Sequence, residues 1–418
     1  MKIHRSPRGC RALLAVPAWL CALSLQASEP PPLFGRYLPL HPGLYVDAQF
    51  GQDDQDRSYD QQGHEQPTAA PQAGGQTAFP ETRSSVAFTW HFPLFEGEAV
   101  PFLSSRTHLA RVTLRHNRLR SRGALAEFAA DTTDDAGSDA DDLRNNGSGI
   151  GDPSFEFGSF LLGSPVTATR GGSRPPYSLL LLGGLTAPFG TYDRDAPINS
   201  GANRWAAQVQ LGGHWQPRAG SVLEAGFTWR HYEQNENPAF GALAPAEQGS
   251  DRVIDLSFTQ RLWSGLYLGA YGRDRQGASN VYEGVRFSPN RPEPVQVLPG
   301  PGSTFSDNTP TPGRYRDGGT ALRELGGSLQ WFATQRLLLG LHYSQPLSGK
   351  SGQFTLPYTD RTPAGCVEGA FGCSYSPGNT VLVDGLGPAR SYASPRWTLS
   401  LAWQFGLGDV YACPGCQR

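Results

Sequence analysis

The sequence predicts an all-β protein, a transmembrane antiparallel β-barrel of about twelve strands with long extracellular loops and short periplasmic turns. Three observations predict it. Segments near ten residues long alternate apolar and polar side chains, often with tryptophan at their ends. The connections between these segments alternate between short and long. The chain opens on an export signal, and no later window approaches the roughly 18 consecutive apolar residues that a spanning helix needs.

Residues 1–27 read as a secretory signal peptide. Lys2, Arg5, Arg8 and Arg11 precede the apolar run Ala12 to Leu25, and small residues stand before the expected cut after Ala27. Removing these four cations and no acid takes the formal charge from −2 to −6. Cys10 and Cys21 leave with the signal. Cys366 with Cys373, and Cys413 with Cys416, then form two close pairs suited to local disulfides in an oxidising compartment. Cys413-Pro-Gly-Cys416 has redox spacing, but no βαβ pattern surrounds it.

The clearest strand is Asn203 to Trp215. Trp205, Ala207, Val209, Leu211 and Trp215 fall on one side, and Arg204, Gln208, Gln210 and His214 on the other. Segments 221–232, 251–262, 321–333, 337–345 and 396–405 repeat the pattern, and 266–274 joins them. The N-terminal half is noisier, with strands expected near 43–50, 84–93, 107–118, 152–162 and 177–188. From residue 203 onward the connections run short, long, short, long, as outer-membrane barrels do.

A soluble β-sandwich would turn the same apolar faces inward and bury the tryptophans. The indoles argue for lipid instead. Ten steps separate Trp205 from Trp215, or ~33 Å along a strand, which a tilt near 40° projects to ~25 Å, the height of the apolar band. Trp205, Trp215, Trp229, Trp331, Trp397 and Trp403 are therefore expected in the membrane girdles. Closure of the sheet also removes the edges that lipid cannot satisfy.

GIGDPSFEFGSFLL (149–162) and GGLTAPFGTYDRDAPINSGANRWAAQVQLGGHW (183–215) carry a family resemblance. A Gly-Asp opens one strand, a Pro-x-Gly-x-Tyr closes the next, and a Gly-x-Asn-Arg-Trp segment and a Glu-Asn in HYEQNENPAF (231–240) follow. Over about 149–285 the chain resembles the outer-membrane β-barrel proteins of the MetA-pathway phenol-degradation family. The resemblance implies an outer-membrane transporter that passes hydrophobic or aromatic compounds. The chain departs from the family in its long final loops and in the tail GLGDVYACPGCQR after Phe405, which leaves the aromatic assembly signal internal.

Parity assigns a charged and amide set to the lumen: Arg111, Arg115, Glu156, Arg204, Gln208, Gln210, Glu224, Arg230, Asp255, Arg261 and Glu324. Two readings of this set stand side by side. It is either a salt-bridged filling of a narrow barrel or a constriction that selects solutes by charge. The acidic loop DTTDDAGSDADD (131–142) misses the EF-hand spacing and reads as a solvated loop. His342 and Ser344 share a face, but parity turns them to the lumen, away from any lipid substrate.

The resulting expectation is a signal peptide (1–27), a Pro-rich leader (28–41) that is free to enter the lumen, a barrel (42–405) and a periplasmic tail (406–418). No cofactor, metal site or catalytic activity is expected. The expected surroundings are outer-membrane lipid and lipopolysaccharide, the barrel assembly machinery and a small-molecule solute, with no nucleic acid. The role is passive passage of small aromatic or hydrophobic compounds. The alternatives are a closed barrel whose loops bind a partner and, less favoured, a lipid-modifying enzyme.

Overall fold

A computed structural model describes residues 36–37, 43–60, 62–67, 69–70, 75–78, 80–93, 107–119, 122–123, 147–163, 176–193, 199–236, 247–283, 308–310, 314–316, 318–334, 336–360, 379–386 and 392–405. Twelve strands close one antiparallel barrel. They are β1 Gly43–Asp53, β2 Glu81–Pro93, β3 Thr107–Leu119, β4 Ser154–Leu162, β5 Tyr177–Thr186 and β6 Ala206–Arg218. The circuit continues through β7 Ser221–Tyr232, β8 Asp251–Trp263, β9 Leu266–Gly277, β10 Thr320–Phe332, β11 Leu337–Lys350 and β12 Arg396–Phe405. Each pairs with its neighbours in the chain, and β12 closes on β1.

All twelve segments read from the sequence are strands. Bounds shift by a few residues at several ends, and at 203–205 the chain bends, with Asn203 in the left-handed region at φ 52°, so that strand begins at Ala206. Asparagine tolerates that conformation better than most residues.

The alternation sorts the two faces without error over 251–259 of β8. Leu256 is 59% exposed on the outside while its neighbour Asp255 is 3% exposed on the inside. The exposed apolar residues form the surface that lipid covers, so the usual rule of apolar-in is inverted. Trp215 and Trp331 lie outward toward the rim of short turns, with Trp90 and Trp263. Trp403 joins them, half-buried beside Phe405. Trp205, Trp229 and Trp397 lie outward toward the rim of long loops. The six expected tryptophans thus divide between the two rims on the outer face.

The short-turn rim is the periplasmic one in barrels of this kind. Its turns are tight from β6 onward, but residues 94–106 and 163–176 join β2 to β3 and β4 to β5, so the expected shortness fails in the N-terminal half.

The strands tilt strongly, and the register records it. A line of directly paired residues runs from Gln404 through Tyr45, Thr89, Arg111, Glu156, Gly184, Gln208 and Arg230 to Asp251. It starts at the periplasmic end of β12 and reaches the extracellular end of β8. A row perpendicular to tilted strands must climb as it circles the barrel.

Candidate functional site: the barrel lumen

That climbing row is occupied by polar groups that bond to one another. Arg111 donates from Nε to Thr89 Oγ1 at 3.0 Å and pairs through NH1 with Glu156 Oε2 at 3.1 Å. Gln208 donates from Nε2 to the other carboxylate oxygen, Glu156 Oε1, at 2.5 Å. Strand β5 lies between them and carries Gly184 at that level. A Cβ there would stand 2.9 Å from Gln208 Cγ and 3.1 Å from Glu156 Cγ, so a glycine lets the bond pass over the strand. Arg230 donates from Nε and NH2 to Gln208 Oε1 at 3.2 and 3.1 Å. Its NH1 reaches Tyr232 Oη at 3.4 Å, Tyr232 donates to Asp251 Oδ2 at 2.8 Å, and Arg275 pairs with that oxygen at 2.9 Å. The result is a charged stair along the wall, climbing toward the extracellular mouth.

Other ion pairs extend it. Arg273 meets Asp255 at 2.6 Å, both side chains buried. Across β12, β1 and β2, Asp53 receives Arg396 at 3.2 Å and Arg83 at 3.6 Å. Arg83 also pairs with Glu81, which accepts from Gln55 at 2.5 Å. In each of these pairs a cation meets an anion, so neither charge is buried alone.

The periplasmic half of the lumen is different. Leu109, Phe160, Leu180 and Leu182 point inward and form an apolar cluster with Tyr37 of the leader. Tyr45, His91 and Phe160 continue it as an aromatic shelf, with ring centroids 5.1 and 6.2 Å apart. Tyr37 is fixed by polar contacts at both ends. Its backbone N donates to Glu224 Oε1 at 3.0 Å, its carbonyl accepts from Ser178 Oγ at 2.5 Å, and its hydroxyl accepts from Gln210 Nε2 at 2.9 Å. Tyr37 thus lies in the lumen, a placement that the residues of the leader did not require.

Of the eleven lumen candidates, Arg111, Glu156, Gln208 and Arg230 meet directly, and Gln210 and Glu224 meet through Tyr37. Asp255 and Glu324 are buried inward, and Arg115 lies against Gly151. Arg204 is buried in the rim turn. Arg261 stands apart, packed on Gly220 at a periplasmic turn. Sequence reasoning missed Asp53, Glu81, Arg83, Tyr232, Asp251, Arg275 and Arg396. Each follows the inward parity of its strand: Tyr232, Asp251 and Arg396 lay at the ends of strands already read, and Asp53, Glu81, Arg83 and Arg275 just beyond them. Cys366, Cys373, Cys413, Cys416 and the acidic loop 131–142 lie outside the described residues.

The motifs that carried the family resemblance gather at the extracellular rim. Asp152 accepts from the backbone N–H of Gly190 at 2.8 Å and of Ala202 at 2.7 Å. Asn203 donates to Asn235 Oδ1 at 3.3 Å, and Asn235 donates back to the Ala202 carbonyl at 3.3 Å. Burial pushes the Asp152 carboxyl above the usual range, against the opposing pull of these N–H groups and of Arg115 and Arg204. These residues form a clasp over β4 to β7.

His342 contacts Ser400 Oγ on the next strand at 2.9 Å rather than forming a relay with Ser344. Its Nδ1, where a carboxylate would orient the ring in such a relay, has no hydrogen-bond partner among the described residues.

The closed sheet and its apolar outer face define the class: an outer-membrane β-barrel of twelve strands. The sequence model of the family described as "Putative MetA-pathway of phenol degradation" matches residues 105–309. The crystal structure of an outer membrane channel from Pseudomonas putida F1 is similar over 90% of this chain and 100% of that one, at 15% identity and a TM-score of 0.54. A FadL homologue from Pseudomonas aeruginosa aligns over 87% of this chain and 91% of its own, at 11% identity and a TM-score of 0.35. No curated protein matches the sequence.

Proposed function

We propose that this barrel is an outer-membrane channel that passes small aromatic or otherwise hydrophobic solutes passively. One observation carries the reading: the inner wall is divided between an inward-facing apolar cluster and a stair of compensated charges. An apolar surface inside the lumen gives such a solute a place to leave water. The stair above it gives polar ends a wet, charge-balanced track. The structural relative from Pseudomonas putida is itself named a channel, which supports the reading. No energy coupling is needed, because the solute moves down its own gradient.

The test is conductance of the refolded barrel in a planar bilayer, with benzoate added as a probe. The expected result is stepwise conductance that benzoate partly blocks. Replacing Arg111, Glu156 and Arg230 together by neutral residues should then change ion selectivity. Unchanged permeation in that triple variant would remove the stair from the mechanism, and a folded barrel without conductance would overturn the channel itself.

A further inference from the structure

Among the described residues, Tyr37 is a buried lumen side chain that does not belong to the wall, with the Arg36 guanidinium 5.8 Å from its ring centroid. Tyr37 comes from the leader, yet it is 2% exposed and satisfied at its hydroxyl, its backbone N–H and its carbonyl. The wall is shaped to receive it. A Cβ on Gly212 would lie 2.1 Å from Tyr37 Cε1, and a Cβ on Gly226 would lie 2.0 Å from the Tyr37 hydroxyl. Any side chain at either position would occupy the space of the ring. Two glycines on neighbouring strands β6 and β7 therefore form a flat bed, and Leu109, Phe160, Leu180 and Leu182 close the cavity around it.

The chemistry of the tenant describes the site. Its parts are an apolar slot one ring deep, an amide donor for a phenolic oxygen (Gln210), and a carboxylate acceptor for an N–H group two carbons from the ring (Glu224). A site with these parts discriminates strongly for the hydroxyl, since an analogue without it leaves a buried donor unpaired.

We propose that the Tyr37 pocket is a solute site for para-substituted phenols, with preference for a nitrogen donor on the substituent, and that Tyr37 is its resident competitor. The inference rests on the channel reading and names the solute class for it. Tyramine is the fragment that superposes on Tyr37, with its ammonium in place of the backbone N–H. Only residues 38–42 separate Tyr37 from β1. Covalent attachment over so few residues gives the ring an effective concentration of order mM, so a solute must be supplied at a concentration that competes with it. Tyr37 then competes with the solute it imitates, and apparent affinity is reduced to the fraction of vacant sites.

The experiment compares the intact refolded chain with Tyr37→Ala by calorimetry in detergent, using tyramine and phenethylamine, which lacks the hydroxyl. Heat-modifiable electrophoretic mobility establishes that each variant is folded. Tyramine should bind Tyr37→Ala at least tenfold more tightly than the intact chain, and phenethylamine should bind the variant at least tenfold more weakly than tyramine does. Adding Gly212→Val to Tyr37→Ala should abolish binding. Should Tyr37→Ala fail to fold, Tyr37→Phe keeps the ring but loses the Gln210 bond, and tyramine should bind it several-fold more tightly than the intact chain. Equal tyramine affinity in the intact chain and the folded variant, or indifference to the hydroxyl, overturns the proposal. Conductance separates it from the channel reading. A Tyr37→Ala barrel that binds tyramine but never conducts sinks the channel and keeps the site. One that conducts and ignores tyramine keeps the channel and sinks the site.

Discussion

The two ends of the lumen fill the same narrow space by opposite means. Near the periplasm, Leu109, Phe160, Leu180 and Leu182 pack around a tyrosine from the leader. Toward the exterior, Arg111, Glu156, Gln208, Arg230, Asp251 and Arg275 pair in series along the wall. The lower half gains from removing apolar surface from water. The upper half gains little net free energy from burying ion pairs, but it fixes the position of every charge. Stability is therefore expected to concentrate below and selectivity above.

The largest test of that contrast is truncation in the lower cluster. Leu180, fully buried, should cost about 2–5 kcal/mol of unfolding free energy when changed to alanine. Urea unfolding of the barrel in lipid reads the loss, and a cost below roughly 1 kcal/mol would show that the cluster is loosely packed.

Glu156→Gln comes next. It keeps one acceptor oxygen, for Arg111 or for Gln208, sets an N–H donor against the other and removes the charge between them, so the expected loss is roughly 1–3 kcal/mol, as for one hydrogen bond to a charged group. The sharper readout is reversal potential under a salt gradient. An uncompensated Arg111 should shift permeation several-fold toward anions, and an unmoved reversal potential would place the ion path elsewhere.

The smallest effect concerns the clasp outside both halves. The Asp152 carboxyl holds its proton more tightly folded than unfolded because of burial. Its contribution is therefore fully present below the unfolded carboxylate range and is lost as pH rises through the folded value. Relative to Asp152→Asn, the natural barrel should gain stability on acidification from neutrality through the carboxylate range. The opposite slope in matched urea titrations would mean that the N–H groups of Gly190 and Ala202 outweigh burial.

The strands were legible because lipid and lumen impose a period of two, and tryptophans at the strand ends set it apart from the same alternation in a soluble sandwich. Along 251–263 the pattern names the inward Asp255 and the outward Leu256 unaided. The candidate site was half legible. Parity placed Arg111, Glu156, Gln208 and Arg230 inside, yet gave no reason for them to touch, since they sit on β3, β4, β6 and β7. In YSLLLLGGL (177–185) both faces are apolar, so nothing in the residues turned Leu180 and Leu182 inward. Arg261 had inward parity but stands at a turn, where the pattern carries no height.

By itself the sequence determined the number of strands, their faces and the membrane that surrounds them. Those properties follow from transfer free energies and alternation, which act residue by residue. Tertiary structure alone decided which inward residues meet, where the stair climbs and that Tyr37 fills the bed of Gly212 and Gly226. The physical reason is the tilt of the closed sheet. It couples each residue to a partner one strand away at a fixed register, and no local pattern encodes that offset.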